Sequence, residues 1–213
     1  MRYFFAIFVF FSLSSFGQIV INEYSAANFD DFNDNYGQNE DWFELYNNSG
    51  SPINLNSYYL SDKNDNLTKW QFNSDVIINA NEHLVIFCSG RNEINGGNIH
   101  TSFKLHQTKG NEWIILTNPD GLTIVESVFI RPCLTNSSRG RLNYTDNTLG
   151  VFNTPTPGAL NTAGYIDYSS TPVFSPAAGI HNNAINVTIT ADLGTTISFT
   201  TDGSLPDNTD IQY

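Results

Sequence analysis

Apolar positions along the chain come in short runs separated by polar clusters, with no long amphipathic stretch. The segments 19–24, 42–46, 53–60, 69–72, 76–78, 83–88, 112–116 and 122–129 are rich in Val, Ile, Phe, Tyr, Trp and Thr, and Asn, Asp, Gly and Ser crowd the gaps between them. This punctuation predicts strands joined by turns, the pattern of β-sandwiches and small barrels. No apolar stripe of period 3.6 appears: residues 57–60 are too few and too β-prone, and the Asn-rich stretch 92–98 has no such stripe. Asn118-Pro119-Asp120-Gly121, between the runs 113–116 and 122–125, predicts a β-hairpin, since Pro presets the first turn position and Gly accepts a positive φ. Residues 152–161, with Pro155, Pro157 and Gly158, lack alternation and mark the end of a domain. A linker is expected over 162–170, and new strands at 173–174, 185–189 and 196–200.

The first residues stand apart from this scheme. Arg2 precedes the unbroken apolar run 4–11, and the small residue Gly17 closes the segment before Gln18. This is the layout of a secretory signal over 1–17, cleaved after Gly17. The run is about half the roughly 20 residues that cross a bilayer, so the mature chain is expected to have no membrane span and to be secreted or displayed at the cell surface. In that oxidising setting Cys88 and Cys133 are permitted to pair, a bridge worth about 4 kcal/mol in the chain-entropy model. The alternative for Cys88 is a buried small hydrophobe.

Composition narrows the partners. The 213 residues carry 9 Lys plus Arg against 21 Asp plus Glu, a net charge of −12. That sign opposes nucleic-acid phosphate and anionic lipid, so no nucleic-acid partner is expected. Only 14% of residues are charged, so the polar surface is built from Asn, Ser and Thr, which favour turns and strands over helices.

Candidate chemistry is sparse. His83, His100, His106 and His181 are scattered, with no i, i+4 pairing around a Glu for zinc. There is no Gly-x-Ser-x-Gly elbow, and Asn95-Gly96-Gly97 lacks the Lys-Ser or Lys-Thr that would cradle phosphate. Glu40, Asp41 and Glu44 offer carboxylates for a glycosidase-type pair, but on a strand Glu44 shares a face with Trp42 and Tyr46, which favours a polar-aromatic rim. In the acidic loop from Asp30 to Asp41, the alternation Asp31, Asn33, Asn35 suits calcium. Tyr36 stands where such a loop needs Gly, Gly37 comes one late, and no Glu closes the site, which leaves a solvated acidic turn as the default. Asp62, Asn64 and Asn66 repeat the idea more weakly inside a hairpin connection. Trp42, Trp70, Trp113, Tyr58 and Tyr59 are candidates for sugar stacking, but alternation sends most of them into the core and only one of the adjacent tyrosines outward. No catalytic, cofactor-binding or metal-ligating residue is assigned, no cofactor is implied, and the chain is not expected to be an enzyme.

Two groups of motifs add a resemblance. Ile19-Val20-Ile21-Asn22-Glu23 and Asp41-Trp42-Phe43-Glu44-Leu45-Tyr46-Asn47 are followed by Ile53-Asn54-Leu55, Tyr59-Leu60-Ser61-Asp62, Thr68-Lys69-Trp70, Cys88-Ser89-Gly90, His100-Thr101, Phe103-Lys104-Leu105 and Pro155-Thr156-Pro157-Gly158. In this order they resemble the lamin tail domain of secreted bacterial proteins, over residues 18–161, which implies an all-β immunoglobulin-like sandwich. Pro172-Val173-Phe174-Ser175 with Phe199-Thr200-Thr201-Asp202-Gly203-Ser204-Leu205-Pro206 resembles the small β-module at the C-terminus of chitobiase and related hexosaminidases. That module type continues past the Asp-Gly-Ser turn, so residues 171–213 are expected to be an incomplete second β-sandwich of low intrinsic stability. Together the resemblances imply a non-catalytic exported module that binds an extracellular or cell-surface protein or polysaccharide through loops such as 28–39 and 91–98. The rival expectation is an N-terminal accessory segment of a longer secreted hydrolase or spore-coat-type kinase.

Overall fold

A single extra residue in the first strand organises the first sheet. In the computed structural model, which describes residues 18–144, 147–207 and 209–213, β1 (Ile19–Ser25) pairs antiparallel with β2 (Trp42–Asn47). The export signal expected over 1–17 lies outside the described residues. Ile21 faces Leu45 across the ladder while Glu23 faces Glu44, so Asn22 is the extra residue of a β-bulge. The bulge keeps Ile19, Ile21 and Tyr24 in the hydrophobic core and releases Asn22 and Glu23 to polar partners outside it.

The remaining strands of the first unit are β3 (Ile53–Asn54), β4 (Tyr59–Ser61), β5 (Trp70–Gln71), β6 (Ile77–Ile78), β7 (His83–Phe87) and β8 (Glu93–Asn95). They continue with β9 (Asn98–His100), β10 (Trp113–Thr117), β11 (Ile124–Phe129), β12 (Ser138–Arg141) and β13 (Leu149–Phe152). One sheet has the order β13-β12-β1-β2-β7-β9-β8, a second the order β11-β10-β4-β5, and β3 pairs separately with β6. Phe43, Leu45 and Ile86 of the first sheet and Leu60, Ile114 and Leu116 of the second are essentially inaccessible and belong to one core. Each such side chain stabilises the fold by about 1.5–3 kcal/mol. Among the described residues no helix forms, and the fold is an all-β immunoglobulin-like sandwich.

Several expectations are refined. The hairpin at Asn118 to Gly121 is present, with β10 and β11 antiparallel and Gly121 at φ 70°. The run 53–60 is two strands, because Ser57 adopts φ 70° and the halves serve different partners, β6 and β10. The Asn-rich stretch 92–98 forms most of a hairpin, β8 with β9, turned by Gly96 at φ 56° and Gly97 at φ 87°. Two consecutive positive φ values define a type I′ turn, which glycine supplies at no steric cost. Strands β12 and β13 carry no apolar alternation and were not anticipated. Part of the expected linker belongs to the first unit, since Tyr165 exchanges two backbone hydrogen bonds with Val151 (2.8 and 2.9 Å). The first unit runs to Ile166 and the second begins at Asp167.

The second unit contains two small hairpins, β14 (Val173–Ser175) with β15 (Thr188–Thr190), and β16 (Ser198–Phe199) with β17 (Ile211–Gln212). No described residue of this unit is buried.

Candidate binding surface

The two loops singled out by sequence, 28–39 and 91–98, meet beside strands β7, β9 and β8. The first is shaped by side chains that substitute for a backbone ladder. Asn28, buried, accepts from the Phe32 N–H (3.0 Å) and donates to the Phe32 and Glu40 carbonyls (2.6 and 2.8 Å). Asp34, also buried, accepts with Oδ1 from the N–H groups of Tyr36 (2.8 Å) and Gln38 (2.9 Å), and Gly37 turns the chain at φ 71°. Short polar side chains that bond their own neighbourhood fix such turns. Phe32 roots the loop on the sheet, stacked on Phe87 at 5.6 Å and edge-on to Trp42 at 5.8 Å.

Charge ties the second loop to the first. Arg91 Nη1 donates to Asp34 Oδ2 at 2.7 Å and lies 3.5 Å from Glu40 Oε1, while its guanidinium sits 4.7 Å over the Tyr36 ring. The Tyr36 hydroxyl donates to Glu93 Oε1 at 2.6 Å. Beneath them His100 is fully buried, with Nε2 2.7 Å from Asn35 Oδ1 and Nδ1 2.9 Å from Ser89 Oγ. Burial pulls the His100 pKa down, and the two contacts fit a neutral ring that donates to Asn35 and accepts from Ser89. His100, assigned a structural or surface role by sequence, is the joint between the loops; its separation of 65 residues from Asn35 hid that role. Above this frame Asn33, Asn35, Gln38 and Asn95 are exposed and Tyr36 is 47% exposed. The result is a polar-aromatic surface held rigid from below.

The other candidates are distributed elsewhere. Asp31, Asn33 and Asn35 do not share a site, because Asn35 is engaged by His100 and the buried acid of the loop, Asp34, is neutralised by Arg91. Among the described residues no group of three His, Cys, Asp or Glu side chains is placed to hold a metal. Asp62 pairs with Lys69 at 2.6 Å. Trp42 and Trp70 are buried, and Trp113, Tyr58 and Tyr59 are half-buried, so the five aromatics form no platform. Cys88 lies in the core and Cys133 Sγ is 3.5 Å from Gln107 Oε1; both are free thiols, which corrects the disulfide alternative.

The carboxylates Glu40, Asp41 and Glu44 do not converge either. Glu40 joins Arg91 and Lys104 at the loop (3.5 and 2.9 Å), and Asp41 accepts from the Asn28 N–H. Glu44 is not on a rim: it is fully buried beneath the Pro- and Gly-containing segment that follows β13. There Asn22 Nδ2 donates to Glu44 Oε1 at 2.7 Å, the Gly158 N–H donates to Oε2, and His83 Nε2 lies 3.8 Å away. Burial outweighs these donors and pushes the Glu44 pKa up to about 8. Neighbouring Glu23 accepts from Thr156 N (3.0 Å), Thr156 Oγ1 (2.8 Å) and Ser138 Oγ. The motif residues Asn22, Glu23, Glu44 and Gly158 therefore form one buried polar knot that clamps the chain's return across the sheet. Its carboxylates have no access to a substrate.

A sandwich with a rigid loop surface at one sheet edge and a sealed polar knot is the build of an immunoglobulin-like binding module. The lamin tail domain model matches residues 12–130, and the chain belongs to that family, whose domain is a non-catalytic immunoglobulin-like fold. No protein of curated function matches the chain. Strands β12 and β13 and the clamping segment extend the same unit past the matched span, to Ile166. Among the described residues no helix is long and apolar enough to cross a membrane.

Proposed function

We propose that this protein is an exported adhesion or targeting module that binds an extracellular or cell-surface protein or polysaccharide through the joined loops 28–39 and 91–98. The observation that carries the reading is the cross-tie of Arg91 to Asp34 and of Tyr36 to Glu93, which leaves an exposed face ordered before any partner arrives. Preorganisation lowers the entropic cost of association, and binding residues concentrate on loops held by rigid scaffolds. The signal pattern over 1–17 supports export, and the net charge of −12 favours a neutral or cationic partner over nucleic acid. The test is a screen of the chain against immobilised glycans and surface-protein extracts, repeated with Tyr36→Ala. A retained partner is expected to bind about tenfold more weakly to the variant at unchanged melting temperature; equal binding by both overturns the assignment to these loops.

A second reading makes the chain the accessory front of a longer secreted enzyme. It draws on the resemblance of residues 171–213 to a chitobiase-type module and on the exposure of Ile180, Leu193 and Leu205 in that unit. A reading frame continuing past the Tyr213 codon into a catalytic domain favours it, and a stop codon there removes it.

A further inference from the structure

The edge of the seven-stranded sheet opposite β8 holds a feature that neither the loops nor the knot uses. Between β11 and the pair β12–β13 lies a cleft of about 290 Å³, lined by Tyr24, Glu126, Phe129, Arg131, Arg139 and Arg141 among others. Three of the nine Lys and Arg residues of a strongly acidic chain thus converge on one cavity, facing Glu126 as the single acidic group of its lining.

Two of these arginines are set in place before any ligand arrives. Arg139 and Arg141 are only 5% and 3% exposed. Arg141 donates from Nε to the Ile21 carbonyl (3.1 Å), from Nη1 to Asn147 Oδ1 (2.7 Å) and from Nη2 to Glu126 Oε2 (2.7 Å). Arg139 donates from Nε to the Pro132 carbonyl at 2.8 Å. Arg131 is exposed at the mouth, and its backbone is anchored to the Tyr24 hydroxyl, which accepts from the Arg131 N–H (2.9 Å) and donates to its carbonyl (3.3 Å). The Phe129 ring, 41% exposed, completes the wall and is braced edge-on by Trp113 at 5.2 Å. Partly desolvated planar guanidinium groups suit carboxylate geometry better than ammonium groups do.

We propose that this cleft binds the carboxylate of an acidic sugar, a uronic-acid residue, with the arginines taking the carboxylate and Phe129 taking the apolar C–H face of the pyranose. The cavity sits at the lower edge of the range of about 300–1,000 Å³ typical of small-molecule sites, which suits one ring. An acidic peptide would bring the same carboxylate, but adding it as a strand along β11 requires free edge amides, and the Ser127 N–H is already taken by Glu126 Oε1 at 3.0 Å. The cleft is remote in the sheet order from loops 28–39 and 91–98, so the inference does not depend on them.

The test titrates the full chain with galacturonate, its neutral methyl ester and an acidic hexapeptide, followed by calorimetry and NMR shift changes. Galacturonate is expected to bind at least about tenfold more tightly than the ester, and Arg131→Gln to lose about tenfold. Phe129→Ala is expected to weaken the sugar, and both exposed variants to keep the parent melting temperature. Equal affinity for acid and ester, undiminished binding by Arg131→Gln, or tighter binding of the peptide than of the sugar overturns the proposal.

Discussion

Burial and hydrogen bonding pull Glu44 in opposite directions. Two N–H donors favour its charged form, yet removal from water dominates and the pKa rises from 4.5 to about 8. The sign for stability follows from linkage: a carboxyl that holds its proton more tightly when folded contributes fully below the unfolded pKa and loses that contribution as pH rises through the folded value. Asp41, pushed up to about 6 chiefly by burial, acts in the same sense over a lower window. Unfolding free energy is therefore expected to fall between about pH 5 and 8, with Glu44 supplying up to about 1.4 kcal/mol per pH unit. Urea titrations across this range measure the slope, and Glu44→Gln should flatten its part above about pH 6. A profile that rises with pH to neutrality, in either protein, would contradict the buried neutral carboxyl.

At the level of elements, the chain's return across the sheet depends on close backbone approach. A Cβ at Gly150 in β13 would stand 2.3 Å from the Tyr165 carbonyl oxygen and 2.4 Å from Leu142 Cδ2, so the first obstruction is backbone that cannot rotate aside. Gly150→Ala is expected to cost about 3 kcal/mol or more in thermal or denaturant melts. Gly110→Ala, which meets nothing within 4 Å and has no positive φ, should stay within about 0.5 kcal/mol. Comparable losses for both would show that the Val151–Tyr165 bridge does not hold the return segment. The hairpin at Asn118 to Gly121 was legible because Pro, Asp and Gly each meet a local demand. The β8–β9 turn was legible in principle from Gly96-Gly97, but the polar strands around it masked the signal. In β12, Ser138-Arg139-Gly140-Arg141 is buried throughout by hydrogen bonding instead of apolar packing, so hydropathy had nothing to report.

The whole molecule divides its stability unevenly. The first unit holds a continuous core, whereas no described residue from Asp167 onward is buried, and Ile180 and Leu193 are essentially as exposed as in an extended chain. Proteolysis follows local opening, which is cheapest where few contacts must break. Limited digestion with a broad-specificity protease is expected to cut within 167–213 first and leave a resistant fragment ending near Ile166, identified by intact mass. First cuts within 28–41 would show instead that the tie between Asp34 and Arg91 fails to order that loop.

Sequence alone determined the all-β class, the principal strands of the sandwich and the family motifs, because these depend on alternation, turn chemistry and the identity of neighbours in the chain. It also located both loops, since polar clusters between strands must lie outside the core. Tertiary structure decided what those residues do. Glu44 reads as a rim residue until the Gly158 segment covers it, and Asp34 reads as a calcium-loop acid until Arg91 arrives from 57 residues away. The convergence of Arg131, Arg139 and Arg141 likewise exists only once β11 and β12 face one another. Spacing along the chain encodes local geometry, but charge pairing, desolvation and enclosure depend on distances that only the closed sandwich creates.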